Sequence, residues 1–188
     1  SQEITDNPVW SQVGNTLSSD YLLQLCTMEA SGNIIAYTEM TSASNHYVHV
    51  YQYSDVSNEF QKLGSSIQQS DGNNRMHTLK LNGDGNRVLF ACHSVTNPST
   101  GKTNSGAVEV YEYNTTVSGD WAQVGSTVYG ENPISGNHNG EALGQGADHG
   151  SAFNTKGDIF AIGSLNYGTT TSEGNNTGFQ LGRVKVYA

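Results

Sequence analysis

The sequence predicts an all-β fold made of three repeated units, and two recurring segments are the basis of this prediction. An aromatic residue followed by Gln, an aliphatic residue and Gly occurs three times, within residues 9–14, 59–64 and 120–125. A Val-x-Val-Tyr segment follows each of them, at 48–51, 108–111 and 184–187. Self-similarity at a spacing of about 50–75 residues is typical of repeat architectures. We therefore divide the chain into units 9–58, 59–119 and 120–188 of a single repeat domain.

The composition suits such a fold and excludes some partners. Only 13% of the 188 residues are charged, whereas Gly occurs 22 times and Tyr 10 times, a balance typical of β-proteins with many tight turns. The formal net charge of -9 argues against nucleic acid or an anionic membrane as a partner, because both require Lys and Arg side chains near phosphate. No apolar run approaches the roughly 20 residues that cross a bilayer, so we expect no membrane insertion.

The N-terminal residues 1–3 lack both Met and the apolar core of a signal peptide. This is typical of a mature chain that has been trimmed after export. We therefore expect a secreted, extracellular protein.

Each unit is predicted to contain a β-hairpin that turns at a glycine. In the second unit, residues 78–81 alternate in polarity, 82–86 form a turn, and 87–91 are an apolar run of strand length. The third unit repeats this arrangement within 151–163, and the first within 22–37. Gly32, Gly85 and Gly157 take the same place in the three turns, as expected where the backbone needs a positive φ.

The Val-x-Val-Tyr segments form the third strand of each unit. Their valines share one face, and the residues that alternate with them, such as Tyr47, Tyr51 and Tyr53 in the first unit, take the other. Aromatic side chains on this second face indicate that a neighbouring unit covers it too. The aromatic-Gln-aliphatic-Gly segment adds a fourth short strand. Four antiparallel strands covered on both faces predict three blades of the β-propeller type; a stacked β-solenoid, with shorter and more regular coils, is the alternative.

This pattern resembles the FG-GAP-like, integrin-α-type β-propeller repeats of many secreted microbial proteins. The best matches are 157–164 with 182–187, and 84–91 with 106–113. The first unit departs from the pattern, since Glu39 and Met40 stand where the third unit has Ser164 and Leu165. The resemblance covers all three units and implies propeller blades and an extracellular location. It implies no particular activity, because this fold carries adhesion, lectin and enzyme functions alike.

Three blades are too few for a closed propeller, which typically has four to eight. The first repeated segment, with Trp10 and Val13, has no preceding hairpin to pair with, and the last Val-x-Val-Tyr strand, with Val184, Val186 and Tyr187, has no outer partner. Exposed strand edges of this kind invite pairing with another chain. We therefore expect these five residues to form assembly edges, which are completed by copies of the same chain or by further repeats of a longer polypeptide.

Two regions carry residues that could bind a metal ion. The glycine-rich segment 129–150 contains Glu131, His138, Glu141, Asp148 and His149, and imidazole and carboxylate groups suit Zn²⁺ or similar ions; His138, Asp148 and His149 are the candidate ligands. Their spacing matches no known ligand pattern, so a solvated loop is the alternative. Asp84 lies in a turn similar to calcium-binding loops, but calcium takes roughly six to eight oxygen ligands and Asp84 is the only carboxylate of this turn. We therefore expect no cofactor, and calcium at Asp84 stays the alternative.

The aromatic residues divide into packing residues and candidate ligand contacts. Trp10, Phe60 and Trp121 fall on the repeated segment and are expected to pack between blades. Tyr129, Tyr167 and Phe179 lie in the variable stretches, and they are the candidate contacts for extracellular glycans, which stack on aromatic rings.

The two cysteines, Cys26 and Cys92, are too few for a disulfide scaffold and occupy different repeat positions. Two buried thiols are the expectation, while a bridge between units and a reactive thiol are the alternatives. Asn114 and Asn175 each begin an Asn-x-Thr triplet in a polar, turn-like stretch, which makes them candidate N-glycosylation sites of an exported chain.

Taken as a whole, the sequence favours a secreted, non-enzymatic structural or adhesive protein that assembles with copies of itself. The alternative is a lectin-like module that binds glycans or another ligand. An enzyme is the third hypothesis, but the chain lacks a Gly-x-Ser-x-Gly segment, a His-Glu-x-x-His pair and a phosphate-binding loop.

Overall fold

The fold is all-β and consists of three antiparallel sheets that follow one another along the chain. A computed structural model describes residues 10–42, 45–70, 76–116, 119–131, 143–144, 150–164 and 182–188. Within these ranges the chain forms β-strands and no helix, and so it has no helix that could span a membrane. The prediction of an all-β fold is confirmed.

Sheet 1 has five strands. They are β1 (Leu22–Met28), β2 (Ile34–Ser42), β3 (Asn45–Ser54), β4 (Glu59–Lys62) and β5 (Ile67–Gln68). The first four lie side by side in chain order, and β5 continues along the same edge of β3 as β4. All of these pairs are antiparallel, as expected for strands joined by short turns.

Sheet 2 repeats the plan of sheet 1. Its strands are β6 (Met76–Leu81), β7 (Arg87–Cys92), β8 (Ala107–Asn114), β9 (Asp120–Gln123) and β10 (Val128–Tyr129). Sheet 3 has three strands among the described residues, in the order β11 (Ser151–Phe153), β12 (Phe160–Ser164) and β13 (Arg183–Tyr187). Sheet 3 therefore contains the equivalents of the first three strands of sheets 1 and 2.

The second and third aromatic-Gln segments each complete the sheet that precedes them. β4 begins the second sequence unit but pairs with β3 of sheet 1, and β9 begins the third unit but pairs with β8 of sheet 2. The cause is local, because the chain reverses in a tight turn at 55–58, where Asn58 has a φ of 56°. The sheets and the sequence units are thus offset by one strand.

A polar side chain closes the first hairpin of every sheet. Glu29, Asn82 and Asn154 each accept a hydrogen bond from the backbone N–H at the start of the next strand or just before it, at 2.8–3.1 Å. The three turn glycines predicted from the sequence have φ values of 83°, 69° and 73°, which confirms that these turns need a positive φ.

Glu29 is charged where the other two sheets carry Asn. Its buried carboxylate accepts hydrogen bonds from the backbone N–H groups of Ser31, Asn33 and Ile34 and from the Ser31 hydroxyl, at 2.5–3.1 Å. Burial raises the pKa of this carboxyl, but the hydrogen bonds outweigh burial and hold the pKa of Glu29 below its usual value. The resulting stabilisation is present above the pKa of the unfolded chain, about 4.3, and is lost as the pH falls through the lower folded-state value.

We expect Glu29→Gln to lower the free energy of unfolding by about 1–3 kcal/mol at pH 7, because the amide loses the charge and turns an NH₂ group toward backbone N–H donors. At pH 3 the difference from the unchanged chain should shrink, since the Glu29 carboxyl begins to protonate. Urea denaturation at the two pH values measures both effects. Glu59→Gln, at an exposed position at the start of β4, is the control. If Glu29→Gln lowers the free energy of unfolding equally at both pH values, the charge of Glu29 does not stabilise the turn.

Two hydrophobic cores lie between the sheets. Alternate residues of β7 point to opposite sides, so that Val88 and Phe90 belong to the core shared with sheet 1, whereas Leu89 and Ala91 belong to the core shared with sheet 3. Sheet 2 is therefore covered on both faces. Sheets 1 and 3 each have one face that no other described sheet covers.

The two cysteines are not joined by a disulfide. Cys92 is buried in the first core, as expected, but Cys26 is exposed. The expectation of a buried thiol is wrong for Cys26, because this residue pairs with Tyr37 on the face of sheet 1 that points away from sheet 2.

Candidate functional site

The outer face of sheet 3 exposes residues that are buried in the other two sheets. Val184 and Val186 of β13 occupy the repeat positions of Val48 and Val50 in β3 and of Val108 and Val110 in β8. Sheet 2 covers Val48 and Val50, which are 0% exposed, and the second core covers the valines of β8. Val184 and Val186 are 71% and 66% exposed. Sheet 3 thus presents the surface with which sheets 1 and 2 contact their neighbours.

The outer face of sheet 1 carries a mainly apolar groove of about 790 Å³. Strands β1 and β2 form its floor, and the segment that precedes β1 forms its wall. Its lining includes Val13, Leu17, Leu23, Cys26, Met28 and Tyr37. Because Leu23 and Met28 are exposed, the groove is an open apolar surface of the kind that binds a partner.

The floor of this groove is the equivalent of a surface that is covered in sheet 2. Tyr37 and Tyr51 stack with ring centroids 5.7 Å apart, and Phe90 and Tyr111 stack at the same repeat positions at 5.6 Å. In sheet 2 this aromatic pair faces sheet 1 and packs in the first core together with the valines of β3. A valine face thus meets an aromatic face inside the chain. Among the described residues, no sheet covers the aromatic face of sheet 1, where Tyr37 itself is buried, or the valine face of sheet 3.

A hydrogen-bonded polar group borders the aromatic pair in sheet 1. Burial lowers the pKa of His49, and the Glu39 carboxylate raises it. The effect of burial is the larger one, so the His49 ring is neutral at pH 7. Its Nε2 lies 3.1 Å from the Glu39 carboxylate and its Nδ1 lies 3.0 Å from the Ser66 hydroxyl, while the Ser19 hydroxyl donates to Glu39. Burial and the Tyr51 hydroxyl raise the pKa of Tyr37, which is therefore protonated. The hydrogen bond from Ser19 to Glu39 joins the segment before β1 to sheet 1.

In the described part of the chain, sheet 3 also has an open edge. Among the described residues β13 pairs only with β12, whereas β3 and β8 each pair with two outer strands as well. The equivalent of those outer strands before sheet 1 is residues 10–18, which belong to no sheet in the described part of the chain. Trp10 in this segment is 92% exposed, so its predicted packing between blades is not seen within the chain.

Each repeated aromatic-Gln segment contacts the next one along the chain, and the contact joins the glycine of the first to the aromatic ring of the second. A Cβ on Gly14 would lie 3.0 Å from the Phe60 ring, and one on Gly64 would lie 2.9 Å from the Trp121 ring. Trp121 also donates a hydrogen bond from Nε1 to the carbonyl that precedes Gly64, at 2.8 Å. Trp121 of sheet 2 thus packs against the segment that follows β4 of sheet 1, whereas Phe60 packs against a segment that belongs to no described sheet. A Cβ on Gly125, the third glycine of the series, would meet no described atom within 4 Å, so the place beside it is open.

Only one of the three candidate glycan contacts lies within the described ranges. Tyr129 forms part of β10, where it is half-buried and packs against the first core, so it is not the loop residue that the sequence indicated. Tyr167 and Phe179 lie outside the described residues. Binding of glycans by these residues stays a prediction.

The candidate metal ligands are not brought together in the described part of the chain, where no group of three or more His, Cys, Asp and Glu could hold a metal ion. Asp84 is exposed in the turn between β6 and β7. His138, Asp148 and His149 lie outside the described residues, and binding by them stays a prediction.

The candidate glycosylation site Asn114 is half-buried at the end of β8. Its Oδ1 accepts hydrogen bonds from the backbone N–H and the hydroxyl of Thr116, at 3.0 and 2.9 Å. Asn175 lies outside the described residues, and modification of either residue stays a prediction.

Several residues of the open surfaces were not predicted from the sequence. Leu17 and Tyr37 line the groove, and Gly125 marks the open place beside the third sheet. The signal for Tyr37 was present, because an aromatic residue occurs at the same position of the hairpin in the second unit, as Phe90. Leu17 is the third residue after the glycine of the repeated segment, where Ile67 and Val128 are also aliphatic.

No protein-family model and no curated protein matches the chain. Among solved structures, the chain is similar to a chain of Kuenenia stuttgartiensis hydrazine synthase, with a TM-score of 0.45 and 17% sequence identity. The match covers 79% of this chain but only 38% of that chain. A similarity this low carries no argument about the function of the protein.

Proposed function

We propose that this chain is a non-enzymatic structural or adhesive protein of the extracellular space, and that it acts by assembling with copies of itself. In this proposal the three sheets are blades of the β-propeller type, and the outer faces of sheets 1 and 3 are the surfaces of assembly. One observation carries the proposal. Valines at the same repeat position are fully buried in sheet 1 and mostly exposed in sheet 3.

Contacts inside the chain support the pairing of these two faces. The valine face of sheet 1 packs against sheet 2, and the valine face of sheet 2 packs against sheet 3. A third contact of the same kind joins the valine face of sheet 3 to the aromatic groove of sheet 1 in another copy. Because the two faces differ, this contact is head-to-tail, and it produces a ring if the rotation closes or a filament if it does not.

Extracellular location and the absence of catalysis are the less direct parts of the proposal. The resemblance to repeats of secreted proteins supports the location, and the Asn-x-Thr triplets at Asn114 and Asn175 are compatible with it. The lack of catalytic sequence motifs supports a non-enzymatic role. The competing arrangement is a longer polypeptide whose further repeats cover the same two faces.

Light scattering of the purified chain over a range of concentrations, with electron microscopy of the same sample, tests the proposal. We expect multiples of 20.1 kDa and rings or filaments. Val184→Glu, which places a charge on the open face of sheet 3, should return the mass to that of the monomer. Val56→Glu is the matched control, because Val56 is 97% exposed in the turn between β3 and β4 and lies outside the proposed contact. A monomer at every concentration would overturn the proposal.

A lectin-like module is the second candidate, and the groove of sheet 1 is the observation that favours it. The groove has a volume of about 790 Å³ and a mainly apolar lining that includes the exposed Leu23 and Met28, which makes it a site of ligand size. The monomeric Val184→Glu variant leaves this groove open and is the sample to use. A glycan array and a calcium titration that both give no binding would remove this candidate.

A further inference from the structure

Residues 10–18 have the sequence of an outer strand but no sheet in the described part of the chain. We infer that this segment of one copy forms the outer strands of sheet 3 in the next copy, beside β13. The inference rests on the proposed self-assembly and names the segment that completes the contact. Three observations support it: the register of the existing outer strands, their backbone hydrogen bonds, and the position of the segment on sheet 1.

The register of the second outer strand is the same in sheets 1 and 2. β5 lies against β3, and β10 lies against β8, each with its first residue opposite the first valine of the Val-x-Val segment (Ile67 opposite Val48, and Val128 opposite Val108). Each of these first residues comes three positions after the glycine of the repeated segment. In the first occurrence of the repeated segment, within residues 9–14, the residue three positions after the glycine is Leu17. In β13 the valine equivalent to Val48 and Val108 is Val184. Leu17 of one copy is therefore expected opposite Val184 of another.

Backbone hydrogen bonds fix the same register. The N–H of Leu63 donates to the carbonyl of Val50, and the N–H of Val124 donates to the carbonyl of Val110, both at 2.8 Å. Both donors directly precede the glycine of the repeated segment. The equivalent pair is the N–H of Val13 and the carbonyl of Val186. Formation of this bond would satisfy backbone groups at the open edge of sheet 3.

The segment already occupies the place of an outer strand next to sheet 1. Gly14 lies against Phe60 as Gly64 lies against Trp121, and Leu17 lines the groove beside β1 and β2. Sheet 3 of a second copy that packs its valine face into this groove would therefore bring β13 next to the segment. The same pairing cannot occur within one chain in this arrangement, because sheet 2 separates sheet 3 from sheet 1.

Cysteine cross-linking tests the register. Antiparallel partners have Cα atoms about 4.5–5.5 Å apart, which lies within the reach of a disulfide. One sample carries Leu17→Cys and a second carries Val184→Cys, both with Cys26→Ser to remove the exposed thiol. We expect the mixture to form a disulfide-linked dimer of one copy of each variant upon oxidation. Lys185→Cys is the matched control, because a shift of one residue turns the side chain to the other face of the sheet.

A backbone variant gives a second, independent measurement. Val13→Pro removes the N–H that is expected to donate to Val186, at a position that is exposed and outside every described strand. We expect self-association about tenfold weaker than for the unchanged chain, since one intermolecular hydrogen bond is lost. The far-ultraviolet circular dichroism of the variant should be unchanged.

The outcomes separate this inference from the proposed function. If light scattering shows assembly but Leu17→Cys links no better to Val184→Cys than to Lys185→Cys, the faces pack without strand exchange and the inference is wrong. A double variant, Leu17→Cys with Val184→Cys, that forms its disulfide within a monomer would also overturn the inference. Monomers throughout would overturn the proposed function itself.

Discussion

Replacing Val50 by Asp is expected to prevent folding, whereas the same change at Val186 is expected to leave the fold intact. The two valines occupy the same position of the repeat, but Val50 is completely buried between sheets 1 and 2 and Val186 is mostly exposed. A buried carboxylate without a partner destabilises a protein by about 4–5 kcal/mol or more, which is comparable to the whole stability of many domains. An exposed substitution of this kind changes the free energy of unfolding by about 0.5 kcal/mol or less.

Urea denaturation followed by tyrosine and tryptophan fluorescence measures this contrast. It is best done at a concentration at which the unchanged chain is monomeric, because assembly adds stability through mass action. Val110→Asp, at the same position in sheet 2, should lower the free energy of unfolding by less than Val50→Asp but by more than Val186→Asp, since Val110 is partly buried against the second core. If Val50→Asp and Val186→Asp lower the free energy of unfolding by similar amounts, the valine face of sheet 3 is not open. Another part of the chain would then cover it.

Most of the architecture could be predicted from the sequence because the repeated residues are those that form the turns and the hydrophobic cores. The glycine turns, the hairpins around them and the common face of the six valines were all predicted, and the structure confirms them. These features depend on backbone conformation and on the alternation of side chains along a strand, which are local properties. The short strands β5 and β10 were not predicted, because two residues give no alternation to detect.

The limits of each sheet could not be predicted in the same way. The division into units that begin with the aromatic-Gln segment groups this segment with the strands after it, whereas the lack of a hairpin before the first segment indicated pairing with the strands before it. The turn at 55–58 decides this, since it joins β3 and β4 directly into a hairpin. Cys26 and Trp10 show the same limit. Both residues are of types that are usually buried, but they are exposed because no described sheet lies beside them.

Replacing Gly106 by Ala is expected to destabilise the protein far more than the same replacement at Gly101. Both glycines have a positive φ, 81° and 68°, so Ala at either position adopts a left-handed conformation that costs about 1–2 kcal/mol. The surroundings differ. A Cβ on Gly106 would lie 2.4 Å from the carbonyl oxygen and 2.5 Å from the nitrogen of Leu143, whereas one on Gly101 would meet nothing within 4 Å.

The clash at Gly106 cannot be relieved by a side-chain rotation, because both nearest atoms belong to the backbone. Leu143 is fully buried in the second core, and its N–H donates to the carbonyl of Ser105 at 2.9 Å, so any shift disturbs the packing between sheets 2 and 3. We expect Gly106→Ala to lower the free energy of unfolding by about 4 kcal/mol or more, and Gly101→Ala by about 1–2 kcal/mol. For a chain of this size each kcal/mol lowers the Tm by about 2–4 °C, so thermal unfolding separates the two variants. Equal shifts in Tm would mean that the backbone at Leu143 does not lie against Gly106.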